Sequence, residues 1–237
     1  MLEALLWGAV AASSLLVGAG IALRFTVSDR VVGLLLGFGA GTLISAVSFE
    51  LATEALEVGG RDALAVGLTA GALTFYAGDR LTDPPHRTGR GGGGAGAMAL
   101  ALGALLDGIP EQAAIGLTLA SGGAVSAALV AAVFLSNVPE ALGSAAEMRA
   151  AGRPAREILG LWGGVTVACA LATVVGYVAL KDASANLQGA VQGFAAGAIL
   201  VMLIDAMAPE ALAKGRREAG LVTALGFVVA VLLSQRG

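Results

Sequence analysis

Asp107-Gly108-Ile109-Pro110-Glu111 and Ser136-Asn137-Val138-Pro139-Glu140 are near copies of one another, and each lies in the middle of a long apolar stretch. A carboxylate follows the proline in both. Charged side chains at membrane depth are costly, and those that occur line a path or hold an ion. Each proline also removes a backbone N–H and frees a carbonyl one turn earlier, that of Leu106 in the first phrase and of Leu135 or Ser136 in the second. Carboxylates beside freed carbonyls make a set of oxygen ligands.

The composition around these phrases is that of a membrane protein. Of 237 residues, 57% are hydrophobic and 13% charged, with a mean hydropathy of +0.85; soluble domains carry about 25% charged residues. The 36 glycines suit close packing of membrane helices. One cysteine, Cys169, excludes an internal disulfide framework. A net charge of −3 argues against a nucleic-acid partner. The start, Met1-Leu2-Glu3-Ala4, has no basic n-region and no small-residue cleavage site. Its apolar run is expected to stay as a helix.

Charged and glycine-rich joints cut the chain into eight apolar segments, 5–23, 31–56, 63–77, 97–120, 124–148, 158–180, 189–212 and 220–233. Most approach the ~20 residues that span hydrocarbon. The 79–96 stretch, with Pro84, Pro85, His86 and four successive glycines from Gly91, has linker composition and is predicted to be a mobile cytoplasmic loop. His86 is expected to be a solvated surface residue there. With both termini outside, Arg24, Arg30, Arg80, Arg87, Arg90, Arg149, Arg153, Arg156, Lys214, Arg216 and Arg217 fall inside, and only Arg61, Lys181 and Arg236 fall outside. That split follows the positive-inside rule.

Gly37-Phe38-Gly39-Ala40-Gly41 in the second segment matches Gly193-Phe194-Ala195-Ala196-Gly197 in the seventh, and the match runs on to Glu54-Ala55-Leu56 and Glu210-Ala211-Leu212. The two segments start on opposite sides. The expected fold is therefore an all-α integral membrane protein of eight transmembrane helices. It is one domain over 1–237, an inverted repeat of helices 1–3 and 6–8 around a central pair, helices 4 and 5. Such repeats place a polar site at the midplane.

The acids inside the segments are Glu50, Glu54, Asp107, Glu111, Glu140, Glu147, Asp205 and Glu210, with no lysine or arginine beside them inside the spans. Buried carboxylates need a counter-charge, a proton or a metal. Asp107 and Glu111 share a helix face, as do Ser136 and Glu140, with Asn137 alongside. Glu147, two turns beyond Glu140, either lines an inward exit or sits at the interface beside Arg149; Glu210 is divided in the same way. Glu50 and Asp205 lie deeper. Cys169, Met202 and Met207 are expected to pack apolar surface. Gly160, Gly163 and Gly164 permit a homodimer.

These residues resemble the ZIP (zinc/iron permease) family of metal transporters. The likeness runs over nearly the whole chain and rests on the eight-span plan, the inner loop, the paired Pro-Glu phrases and the Gly-Phe-x-Ala-Gly openings. The resemblance implies a metal held between the fourth and fifth helices. Asp107 stands at the family's first histidine, Gly108 at its asparagine, and Glu111 at its glutamate. Ser136, Asn137 and Glu140 take the corresponding places in the fifth helix. Gln112 and Ala141 replace the glycine that follows each glutamate. Asp205 stands in the seventh helix, and the second contributes a small polar residue, Ser48. Every motif histidine is missing. An all-oxygen site suits manganese, magnesium or calcium better than a zinc-selective cage, although zinc also accepts carboxylates.

The expected function is passive or proton-linked import of a divalent metal, zinc or another such as manganese or iron, across the plasma (inner) membrane. The ion is substrate; no cofactor is expected, and the partners are the ion and the bilayer. Two other readings stay open. One is a non-transporting membrane sensor or scaffold. The other is an intramembrane carboxylate hydrolase, although no Gly-x-Gly-Asp, His-Glu-x-x-His or Gly-x-Ser-x-Gly phrase is present.

Overall fold

The computed structural model describes residues 1–82, 94–120 and 127–234. Within them, the side chains of residues 81, 82, 94–104, 106 and 107 are not described. Most of the 79–96 loop, with His86, and the Asp107 side chain thus lie outside the described residues.

All regular structure among the described residues is helical: α1 (Leu2–Arg24), α2 (Asp29–Ala46), α3 (Ala52–Thr82), α4 (Gly94–Ala120), α5 (Ala127–Ala150), α6 (Ala155–Leu180), α7 (Ala185–Met202), α8 (Ala208–Gly215) and α9 (Glu218–Ser234). Five-residue π turns, Val47–Leu51 and Leu203–Met207, join α2 to α3 and α7 to α8. These elements make seven continuous helical runs, where the sequence predicts eight segments. The difference lies at Gly60. Between segments two and three the helical run is interrupted at a single residue, Gly60, of φ 80° and ψ 178°. Only glycine reaches that region without strain. Among the described residues, five runs are long and apolar enough to cross a membrane, and α9 is a shorter apolar helix.

The helix ends follow from local chemistry. Ser28 and Ser184 cap α2 and α7, each accepting a hydrogen bond at 3.4 Å from the backbone N–H three residues on. α5 stops at Gly152, φ 80°, where Arg153 N–H reaches the Met148 carbonyl and Gly152 N–H reaches that of Arg149. This is a Schellman closure. Arg149 then donates to the carbonyls of Ala22, Leu23 and Phe25 at the C-terminus of α1.

Structural features recur along the chain at one constant spacing. Ser28 corresponds to Ser184, α2 to α7, the first π turn to the second, and Gly60 to Arg216, whose φ is also positive at 56°. The spacing is that of the Gly-Phe-x-Ala-Gly match.

The helices pack as two groups that do not follow the halves of the chain. α1, α4, α5 and α6 pack on one another, while α3 packs on α7 and α2 on both α8 and α9; α2 also packs on α5, which joins the two groups. Small residues let the backbones touch: a methyl group at Gly41 would overlap the Thr223 carbonyl, and one at Gly197 that of Leu68. The larger apolar core lies mainly between α2, α5 and α7, around Leu43, Leu51, Leu129, Val133, Leu142 and Ile199. A smaller one joins α1, α5 and α6 around Leu15, Trp162, Val165 and Cys169.

Contact order fixes directions. Gly108 and Gly116 of α4 meet Cys169 and Thr173 of α6 in turn, so those helices run parallel. Arg149 reaches the end of α1, so α5 runs parallel to α1. The second core joins the far half of α1 to the start of α6, so α1 opposes α6. α4 and α5 are thus antiparallel. One end of the molecule gathers Arg24, Arg30, Arg149 and Lys214, and Arg30 pairs with Glu218 there at 2.8 Å. Gly59, Arg61, Lys181 and Asn186 lie at the other.

Candidate metal centre

α4 carries Pro110 and α5 carries Pro139, both inside continuous helix. Each proline leaves one carbonyl of its helix without the usual amide donor. Glu111 is buried, 1% exposed, and Glu140 is half-buried. Gln112, Ser136 and Asn137 are buried as well.

What holds this region together is the close approach of α4 to α6. A β-carbon at Gly108 would stand 2.7 Å from the Cys169 sulfur. One turn on, Thr173 Oγ1 donates to Gln112 Oε1 at 2.8 Å. From the other side Gly39 of α2 presses on the backbone of Ser136, whose hydroxyl turns back to the Val133 carbonyl at 3.0 Å.

Both Glu111 and Glu140 lie within electrostatic range of the Cys169 thiol, which is fully buried. Sequence reading gave Cys169 a packing role only. It does pack in the smaller core, and its sulfur also lies against Gly108 of the first phrase. Its distance in sequence from both phrases hid this; no spacing rule links a residue on α6 to motifs on α4 and α5.

Polar groups around the pair are incompletely bonded. Neither amide atom of Asn137 has a hydrogen-bond partner among the described residues, nor does Gln112 Nε2 or the indole N–H of Trp162. Buried polar groups are nearly always bonded, so the Asn137 amide and Gln112 Nε2 each call for a partner.

Three further ligands are expected from the sequence: Ser48, Asp205 and Asp107. Ser48 is exposed on the first π turn, and its hydroxyl donates to the Ile44 carbonyl at 2.7 Å. Asp205 is exposed on the second π turn. Asp107 is on α4 one turn before Glu111, with its side chain outside the described residues. Among the described residues, no three His, Cys, Asp or Glu side chains lie close enough together to hold a metal.

Glu147 and Glu210 meet a basic side chain, as their interfacial readings allow, but for both it is Lys214. Lys214 Nζ lies 2.7 Å from Glu210 Oε1 and 3.4 Å from Glu147 Oε1. It was placed in a joint by sequence, yet the helical run extends through Gly215 and carries it back along α5. Arg149, the partner considered for Glu147, is committed to the α1 carbonyls instead. Glu54 accepts a hydrogen bond from Thr118 at 3.1 Å. Glu50 accepts one from Ser234. Met202 and Met207 lie in the core.

Comparison with known proteins returns no match: no family model fits the chain and no curated protein matches it.

Proposed function

We propose that this chain carries divalent metal ions across a membrane through a carboxylate site between α4 and α5, and that it is a divergent member of the ZIP family. The observation that carries the reading is the burial of Glu111 and Asn137 on two antiparallel helices that each hold an internal proline, the Asn137 amide having no hydrogen-bond partner among the described residues. Carboxylates placed so deep call for a cation or a proton.

In this reading Gly60 separates two crossings, giving eight spans, and the matched features of α2 and α7 belong to an inverted repeat. Both termini and Asn186 face outside; the arginine-rich end faces the cytoplasm, as the positive-inside rule requires. Asp107, Glu111, Asn137 and Glu140 bind the ion in transit. Asp205 and Ser48, on the two π turns, serve the path rather than the buried centre; π turns often occur at functional sites. A proton competes with the metal for the same carboxylates, which supplies coupling. A homodimer through Gly160, Gly163 and Gly164 of α6 is compatible with the space around them, since nothing in the chain lies within 4 Å of a β-carbon there.

One observation favours a second reading, a non-transporting membrane sensor or scaffold: no three candidate ligands cluster among the described residues. Metal flux decides between them. Sealed proteoliposomes holding the full chain should take up zinc or manganese faster than protein-free vesicles. Equal rates for zinc, manganese and iron in the two preparations would overturn transport.

A further inference from the structure

We propose that Lys214 latches one end of the molecule shut by tying the two helix groups together, and that the Glu54–Thr118 hydrogen bond is its counterpart at the opposite end. The proposal rests on the transport reading, because only a protein that opens its ends in turn needs such a pair.

Both contacts cross between the groups. Thr118 lies on α4 and Glu54 on α3; Glu147 lies on α5, while Lys214 and Glu210 belong to the run from α7 to α8. Both also occupy corresponding positions. Glu54 and Glu210 stand at the constant spacing that relates α2 to α7. Thr118 and Glu147 stand equally far beyond Pro110 and Pro139. Since α4 and α5 are antiparallel, the two contacts fall at opposite ends.

The chemistry differs in one respect. At the first end a carboxylate meets a hydroxyl, and the two bond directly at 3.1 Å. At the second the hydroxyl position is Glu147, so carboxylate would face carboxylate and the end would be forced apart. Lys214 supplies the missing cation. The position corresponding to it is Val58, where no cation is needed. The Lys214 side chain is 21% exposed, against 63% for Glu147 and 44% for Glu210. Ion pairs open to water hold weakly, which suits a contact that must release on every cycle.

Gly143 offers a reporter. A β-carbon there would sit 3.7 Å from both Glu210 Oε1 and Lys214 Nζ, in ordinary contact. The test follows maleimide labelling of Gly143→Cys in full-length, detergent-solubilised protein carrying Cys169→Ala. Lys214→Gln should raise the labelling rate about 5-fold or more, as the two carboxylates repel. Adding Glu147→Thr to Lys214→Gln rebuilds the arrangement of the opposite end and should restore the slow rate. Thr118→Val, which releases the opposite end, should lower the rate. Labelling unchanged by Lys214→Gln, or a fast rate that persists in the double variant, would overturn the latch. If Lys214→Gln does not fold, the Thr118→Val arm decides alone: an unchanged or faster rate there overturns it. Labelling does not report flux, so a failed latch leaves the transport reading standing, and absent flux with the expected labelling overturns that reading alone.

Discussion

The sulfur of Cys169 fills the place a side chain would occupy at Gly108, 2.7 Å from where that β-carbon would stand. This contact is one of several close approaches of α6 to α4, with Gly116 against the Thr173 carbonyl further along. It can be tested by size alone. Gly108→Ala should destabilise the protein by about 1–3 kcal/mol, the usual range for overpacking. Cys169→Ala should remove most of that penalty in the double variant. A double-mutant cycle of thermal unfolding in detergent measures the coupling. Additive effects would show that the two residues do not compete for space.

Asn137 separates stability from function. Its amide is buried with neither atom bonded among the described residues, a state that costs about 1–3 kcal/mol. Asn137→Leu should therefore raise the unfolding temperature while lowering metal uptake in proteoliposomes. A lower unfolding temperature would mean that the amide supports the fold instead.

Selectivity follows from the donor set. Asp107→His introduces imidazole and removes one negative charge, so it should raise zinc uptake relative to manganese. Glu111→Ala should lower uptake of both ions, since it deletes a donor common to all. Competitive uptake by wild type and the two variants measures the ratio. An unchanged ratio in Asp107→His, with transport lost in Glu111→Ala, would remove position 107 from the selectivity set.

Orientation is open to labelling. A membrane-impermeant thiol reagent outside intact cells should label Asn186→Cys, which is exposed at one end, and should fail at Gly92→Cys in the predicted inner loop. Efficient labelling at Gly92→Cys would invert the topology.

Backbone strain distinguishes two corresponding turns. Gly60→Ala should destabilise by about 1–3 kcal/mol, because φ 80° with ψ 178° is open to glycine alone. Arg216 already carries φ 56° and ψ −151° with a side chain attached. Arg216→Gly should therefore stabilise, by about 1 kcal/mol. Thermal unfolding of both variants checks the pair, and a destabilised Arg216→Gly would show that its side chain contributes more than the strain removes.

The sequence alone determined the long apolar helices, most of the segment boundaries, and Glu111, Ser136 and Asn137 among the polar side chains of the interior. Each is a local property: hydropathy over ~20 residues fixes a span, and a proline beside a carboxylate is read from adjacent letters. It also located the match between α2 and α7, since Gly-Phe-x-Ala-Gly is a short pattern. Tertiary structure decided what depends on distance across the fold. Gly60 turns the chain without a loop, because glycine at positive φ needs no intervening polar residues. Lys214 reaches Glu147 because the helix after the second π turn runs past the predicted end of the span. Cys169 lies against Gly108 because glycine there lets two helices close on one another, and no spacing along the chain records which glycine faces which thiol.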